Sequence, residues 1–222
     1  MHSSQIVKTD DGSFTLYNSA LKEHYHSTFG AIQESEHVFI QSGLDAIPLS
    51  DKPLALLEIG FGTGLNALLS LIWADRNKQH INYLGIEAFP IMLELAGQLN
   101  YPGILGIDAG VFMKMHVPGK TGVKLSDYFK LAVHANYIAD EILQPDHFDL
   151  VFFDAFSPDV QPELWSVDAF NKIAVSMKRG GILTTYSTKG IVKRALTSAG
   201  FKIEKLPGPP GKREILRAVL SE

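Results

Sequence analysis

The feature that most limits what this chain can fold into is the segment Leu54-Ala-Leu-Leu-Glu58-Ile-Gly60-Phe-Gly62-Thr-Gly64-Leu-Asn66. A short apolar run ends at an acid and meets three glycines at alternate positions. Apolar runs without polar alternation are buried on both faces, as in a parallel sheet. The glycines let the backbone turn tightly and approach a ligand where a Cβ would intrude. The dinucleotide fingerprint is G-x-G-x-x-G. Here the spacing is G-x-G-x-G, and Leu65 stands in the place of the last dinucleotide glycine. A tight strand-to-helix turn without a ligand would use the same glycines, so the rest of the chain must decide.

From residue 54 onward, strand and helix signals alternate. Buried strands are predicted over 54–59, 81–86, 131–135, 148–154 and 181–186. Helices are predicted over 65–77, 91–100, 137–143, 162–177 and 190–199. A mostly parallel sheet covered on both faces follows. Two last strands, 201–206 and 213–220, are joined by Pro207-Gly-Pro-Pro-Gly-Lys212, which cannot hold a helix. They should therefore run antiparallel. Near the start, Gln5-Ile-Val-Lys8 and Ser13-Phe-Thr-Leu-Tyr17 flank the turn signal Asp10-Asp-Gly12. The expected organisation is one α/β domain, residues 1–222, with a small β-hairpin extension (1–50) and a Rossmann-like core (51–222). A seven-stranded, mostly parallel sheet closed by a C-terminal antiparallel hairpin is the pattern of class I S-adenosylmethionine-dependent methyltransferases.

Composition removes several alternatives. The 222 residues, 45% hydrophobic, suffice for one core. No apolar run is long enough to span a bilayer, and the polar start lacks the apolar core of a signal peptide. No membrane contact and a cytoplasmic location are expected. There is no cysteine, which rules out disulfides, thiolate catalysis and cysteine-based metal sites, and no metal is expected. The net charge is −4, but residues 178–222 carry ten Lys/Arg against three acids. Such a tail could form a basic patch for a phosphate backbone, or simply solvated faces.

In an open α/β sheet, ligands sit beyond the carboxyl ends of the strands. Glu58, Gly60, Gly62, Gly64 and Asn66 belong to the first such end. Glu87 closes the next, in Tyr83-Leu-Gly-Ile-Glu87, where an acid can accept hydrogen bonds from both ribose hydroxyls. The third strand leaves two positions open for contact with an adenine. One is Asp108; the other is Asn136, with His134 beside it, and choosing Asn136 makes residues 101–129 a long insertion. Asp154 ends the run Phe148-Asp-Leu-Val-Phe-Phe-Asp154-Ala-Phe156-Ser-Pro158. Methyl transfer from a sulfonium needs mainly alignment. A carboxylate at this tip suits an amine acceptor, orienting it first and accepting its proton second. Phe156 and Pro158 could shape the floor for a flat base.

Three blocks together are similar to the methyltransferase part of the MnmC family, stand-alone type. They are residues 58–66, residues 153–165 ending in Glu163-Leu-Trp165, and residues 179–201 with Gly208-Pro-Pro-Gly-Lys-Arg-Glu214. The upstream Tyr25-His-Ser27 and Glu36-His-Val-Phe-Ile40 also fit. The resemblance implies methylation of the aminomethyl nitrogen of 5-aminomethyl(-2-thio)uridine at the tRNA wobble position. It implies a glycine loop with Asn66 at the methionine part of S-adenosylmethionine, Glu87 at the ribose, Asn136 at the adenine and Asp154 at the amine. Tyr25 and Ser27 would close over the cofactor. Lys189, Lys193, Arg194, Lys212 and Arg213 would grip the anticodon region of tRNA. Where the family often has an acid, this chain reads His134-Ala-Asn136. Fused members carry an FAD-dependent oxidase; the chain ends at Glu222, so neither FAD nor oxidase activity is expected. An upstream enzyme acting in trans would supply the aminomethyl-uridine.

Three rivals remain. A polyamine aminopropyltransferase shares the sheet but needs further acids lining a diamine tunnel, and the sequence around 154 shows no second Asp/Glu cluster. A small-molecule methyltransferase would not need the basic tail. A non-catalytic nucleotide- or tRNA-binding module would bind without turnover.

Overall fold

A computed structural model describes residues 4–221. The chain begins with a three-stranded antiparallel sheet: β1 (Ser4–Lys8), β2 (Phe14–Asn18) and β3 (Glu23–His24). The expected hairpin is present, with one short strand more. The helix α1 (Ala31–Ser35) follows and runs into a turn of π-helix (Glu36–Gln41). The core begins at β4 (Leu54–Ile59), whose six residues are all buried. It continues through α2 (Leu65–Asn77), β5 (Ile81–Glu87), and the short helices α3 (Leu93–Ala96), α4 (Tyr101–Leu105) and α5 (Ala109–Met115). Then come β6 (Gly119–Lys124), β7 (Phe129–Ala135), β8 (Phe148–Phe153) and α6 (Val167–Ser176). The chain closes with β9 (Met177–Thr185), α7 (Gly190–Ser198), β10 (Phe201–Pro207) and β11 (Glu214–Leu220).

The main sheet has eight strands in the order β10-β11-β9-β8-β4-β5-β7-β6. The five from β9 to β7 are parallel. The hairpin β10–β11 is antiparallel within itself and to β9. The class expected from sequence holds, with one strand more than seven. The extra strand is β6, antiparallel on β7 with a register irregularity. Its sequence Gly-Lys-Thr-Gly-Val-Lys is almost wholly exposed and has no apolar period, so nothing marked it as a strand.

Side chains alternate across the sheet. Leu56 and Phe152 pack on the face covered by α2 and the N-terminal segment. Leu57 and Phe153 pack on the face covered by α6 and α7. Ser166 caps α6 by accepting from the Ala169 amide at 3.2 Å. Asn100 ties the small sheet to the core: its amide oxygen accepts from Phe14 N at 2.8 Å and its NH2 donates to the Gly12 carbonyl at 2.9 Å.

Three expected elements differ. Residues 137–143 form no helix; a single turn onto the Tyr137 carbonyl stops before Pro145. Residues 91–100 hold only the one-turn α3. Residues 162–177 divide into a 3-10 turn (Pro162–Trp165) and α6, because Ser166 takes an extended, capping conformation. The 101–129 insertion is not a loop but α4, α5 and β6. No helix among the described residues is long and apolar enough to cross a membrane.

Candidate active site

The order of β4, β5 and β8 puts a change of direction in the connections beside β4, and a cavity of about 920 Å³ opens beyond the carboxyl ends of these strands. Its volume is at the upper end for small-ligand sites. Gly60, Gly62, Glu87, Asn136 and Asp154 all line it, from the tips of β4, β5, β7 and β8 or the loops after them.

The glycines are required by close approach. Gly60 has φ +87°, and a Cβ there would stand 2.5 Å from the Asp154 carbonyl oxygen. The tips of β4 and β8 touch, which also lets the Asp154 amide donate to the Ile59 carbonyl at 2.9 Å. Gly62 has φ +52°, and a Cβ would meet the Tyr25 ring at 3.1 Å. Gly64 caps α2 in the left-handed conformation and lies against His116, behind the cavity wall.

Glu87 is held from two sides. Its Oε2 accepts from Gly62 N and its Oε1 from Phe89 N, both at 2.9 Å. Burial raises its pKa, and these two amides work against the rise. Asn136 follows β7, and its side-chain NH2 donates to Glu141 Oε2 at 2.9 Å. The same Glu141 pairs with His134 Nδ1 at 2.9 Å, so His134 braces the turn outside the cavity lining. Asp108, the other position considered for this place, is the N-cap of α5 and bonds Val111 N at 3.2 Å. It does not line the cavity.

Asp154 is pushed up to about 7. Burial is the main cause and the charge of Glu34 adds to it, while Asn66 and Lys212 oppose. Asn66 Nδ2 donates to Asp154 Oδ2 at 2.9 Å and to Glu58 Oε1 at 2.8 Å. Glu58 and Asn66 therefore sit behind the wall rather than on it, and neither lines the cavity. Burial holds Glu58 well above the usual carboxylate range, against hydrogen bonds from Tyr83 and Asn66.

The small N-terminal sheet supplies much of the opposite wall. Tyr25 packs edge-on against Phe156 with centroids 4.9 Å apart. Ser27 also lines the cavity, and its amide donates to Glu34 Oε2 at 2.6 Å. Trp165 is fully buried and donates its indole N–H to the Phe156 carbonyl at 2.8 Å, fixing the loop after Asp154. Pro158 is buried outside the cavity lining and shapes no floor.

Sequence reasoning missed a carboxylate group. Glu23, Glu34 and Glu163 line the same cavity as Asp154. Glu163 follows Asp154 closely in the chain, but Glu23 and Glu34 come from the distant N-terminal segment, so the sequence around 154 did not show the acidic set that the cavity holds. Tyr186 was also missed: it lines the cavity and donates its hydroxyl to the Ala155 carbonyl at 2.8 Å.

The basic residues divide. Lys212 lines the cavity, 2.6 Å from Glu34 Oε1 and 4.0 Å above the Tyr186 ring centroid. Lys189 pairs with Asp159 and does not line it, nor does Arg213. Lys178, Lys205 and Arg217 pair with Asp149, Glu214 and Glu204. Much of the tail's positive charge is thus neutralised in place.

A family profile described as S-adenosyl-L-methionine-dependent methyltransferase matches residues 111–221. The chain belongs to that methyltransferase family. The resemblance to MnmC is equally plain. This methyltransferase is 31% identical over 230 residues to the tRNA 5-methylaminomethyl-2-thiouridine biosynthesis bifunctional protein MnmC of Aromatoleum aromaticum, covering 96% of this chain and 35% of that protein. The methyltransferase spans about a third of the length of the curated relatives it matches. The crystal structure of MnmC2 from Aquifex aeolicus superposes with a TM-score of 0.78 at 28% identity, covering 99% of this chain and 71% of that one. Spermidine synthase from Thermotoga maritima shares the fold, with a TM-score of 0.55 at 12% identity over 99% of this chain and 72% of that one.

Proposed function

We propose that this methyltransferase methylates the aminomethyl nitrogen of 5-aminomethyl(-2-thio)uridine at the tRNA wobble position. The observation that carries the reading is Asp154: a carboxylate pushed up to about 7, at the strand tip where the acceptor must lie, in a cavity with four further acids and aromatic walls. The names of the relatives support the substrate.

The residues present fit S-adenosylmethionine. Gly60 and Gly62 bring bare backbone to the cavity at the tip of β4, and Glu87 presents a fixed carboxylate one strand away. Gly60 and Gly62 would hold the methionine part, Glu87 the ribose hydroxyls, and Asn136 the adenine side. When bound, S-adenosylmethionine supplies a methyl group carried on a sulfonium. Tyr25 and Phe156 exclude water from the amine. Asp154 draws the substrate ammonium into line by a charge-assisted hydrogen bond. It then takes one ammonium proton, leaving a lone pair on nitrogen. A pKa near 7 makes it a better base than an ordinary carboxylate. Tyr186, its ring face covered by Lys212, holds the loop after Asp154 through the Ala155 carbonyl. The base would enter flipped from the anticodon loop, as single-stranded RNA allows. The aminomethyl group would be made by a separate enzyme acting first.

Incubation with labelled methyl donor and hypomodified tRNA tests the reading. Label in a wobble nucleoside is the expected result; label confined to small molecules overturns it. A second reading has one observation in its favour. The acids Glu23, Glu34 and Glu163 around Asp154 would also suit a diamine. Decarboxylated S-adenosylmethionine with putrescine decides between them: aminopropyl transfer would favour the second.

A further inference from the structure

Behind Asp154 lies a buried chain of polar side chains that touches no cavity surface. Tyr83 on β5 donates its hydroxyl to Glu58 Oε2 at 2.7 Å. Glu58 on β4 accepts at Oε1 from Asn66 Nδ2 at 2.8 Å. The second hydrogen of the same Nδ2 goes to Asp154 Oδ2 at 2.9 Å. Glu58 and Asn66 are 0% and 3% exposed, too deep to meet a ligand directly. Both hydrogens of Asn66 face carboxyl oxygens, so its amide has one sensible orientation; a flip would set oxygen against oxygen. Among the described residues no other donor reaches the Asp154 carboxylate.

We propose that Asn66, backed by Glu58 and Tyr83, is a positioning residue that fixes the Asp154 carboxylate and leaves its Oδ1 to the acceptor amine. The proposal rests on the reading of Asp154 as the residue facing that amine. It assigns Asn66 and Glu58 an action through Asp154 rather than through the methionine part of the cofactor. The chain also explains why β4 carries an acid one residue before its end. Among the described residues Glu58 is the one link between the hydroxyl on β5 and the amide on α2, so three elements converge on the tip of β8. Fixing one oxygen matters because a small misplacement of a reacting group costs large factors in rate.

Asp154 titrates among Glu58 from β4, Tyr83 from β5, Glu34 from α1, Glu23 from β3, and Tyr186 and Lys212 beyond the sheet. Of these neighbours Lys212 is the one cation, and Asn66 is its one neutral donor. Removing the Asn66 donor withdraws a bond to the charged form.

The test uses Asn66→Ala, Glu58→Ala and Glu58→Gln in the full chain. Side-chain carboxyl carbons are followed by NMR across pH without cofactor, with Asp154→Asn used to assign the signal. Asn66→Ala and Glu58→Ala should both raise the midpoint of Asp154, and Glu58→Gln, which still accepts from Asn66, should restore it. An unmoved midpoint in Asn66→Ala overturns the proposal, whatever the substrate proves to be. On hypomodified tRNA, kcat should fall on the order of 100-fold in Asn66→Ala, with S-adenosylmethionine affinity by calorimetry within about threefold of the parent, a shift below 1 kcal/mol. Loss of cofactor affinity in step with kcat overturns it. Absence of wobble label with the parent enzyme, with the NMR shifts as expected, would strike the substrate reading alone.

Discussion

At the scale of single residues, the proposed chemistry turns on one carboxylate whose ionisation is set by burial first and by the charge of Glu34 second. Asp154 must be ionised to take a proton, so kcat should rise with pH through a midpoint near 7. Glu34→Gln removes a neighbouring negative charge and should move that midpoint down; Lys212→Ala removes a positive one and should move it up. A pH–rate profile of the three proteins checks both directions. Stability carries the opposite sign. A carboxyl with a raised native pKa holds its proton in the fold after the unfolded chain has released it, so stability is lost as pH rises from about 4 to about 7. Asp154→Asn should therefore gain melting temperature over the parent at pH 8 and much less at pH 4, measured by calorimetry. Asp154 itself was legible in the sequence, as the acid ending an apolar strand. Its raised pKa was not, because the burial that raises it and the charge of Glu34 act only through the fold.

At the scale of elements, the loop after β4 and the loop after β8 act as one unit. Gly60→Ala would place a methyl 2.5 Å from the Asp154 carbonyl at a φ of +87°. It should cost about 3 kcal/mol or more in denaturant unfolding. The glycine spacing revealed this close approach, although not that its neighbour would be the backbone of Asp154. Tyr25→Ala removes the edge-on contact with Phe156 and should weaken S-adenosylmethionine binding by up to about tenfold in calorimetry. Strands buried on both faces were readable because their apolar runs are continuous. The edge strand β6 was not, because an exposed edge needs no apolar pattern. The helix expected over 137–143 failed for a related reason: Glu141 is drawn to His134 and Asn136, and that polar clamp outweighs local helical preference.

At the scale of the molecule, the sheet divides two cores, with Tyr186 at its carboxyl edge packed against both. Phe152 is fully buried on one face and Phe153 nearly so on the other. Phe152→Ala should lose about 3–5 kcal/mol in denaturant unfolding. The N-terminal segment, expected as an appended hairpin, supplies about a third of the residues lining the cavity, and Phe29 packs onto Gly211 near the other end of the chain. That union of distant segments is what sequence patterns cannot show, and it is why the acids of the cavity went unseen. The same geometry gives Glu87 a consequence of its own. Both its oxygens are already tethered to backbone amides before any ligand arrives. The loss of rotameric freedom falls on folding rather than on association. In the proposed role, a nucleoside diol meeting that carboxylate would find a receptor already set in shape, with no loose side chain left to order.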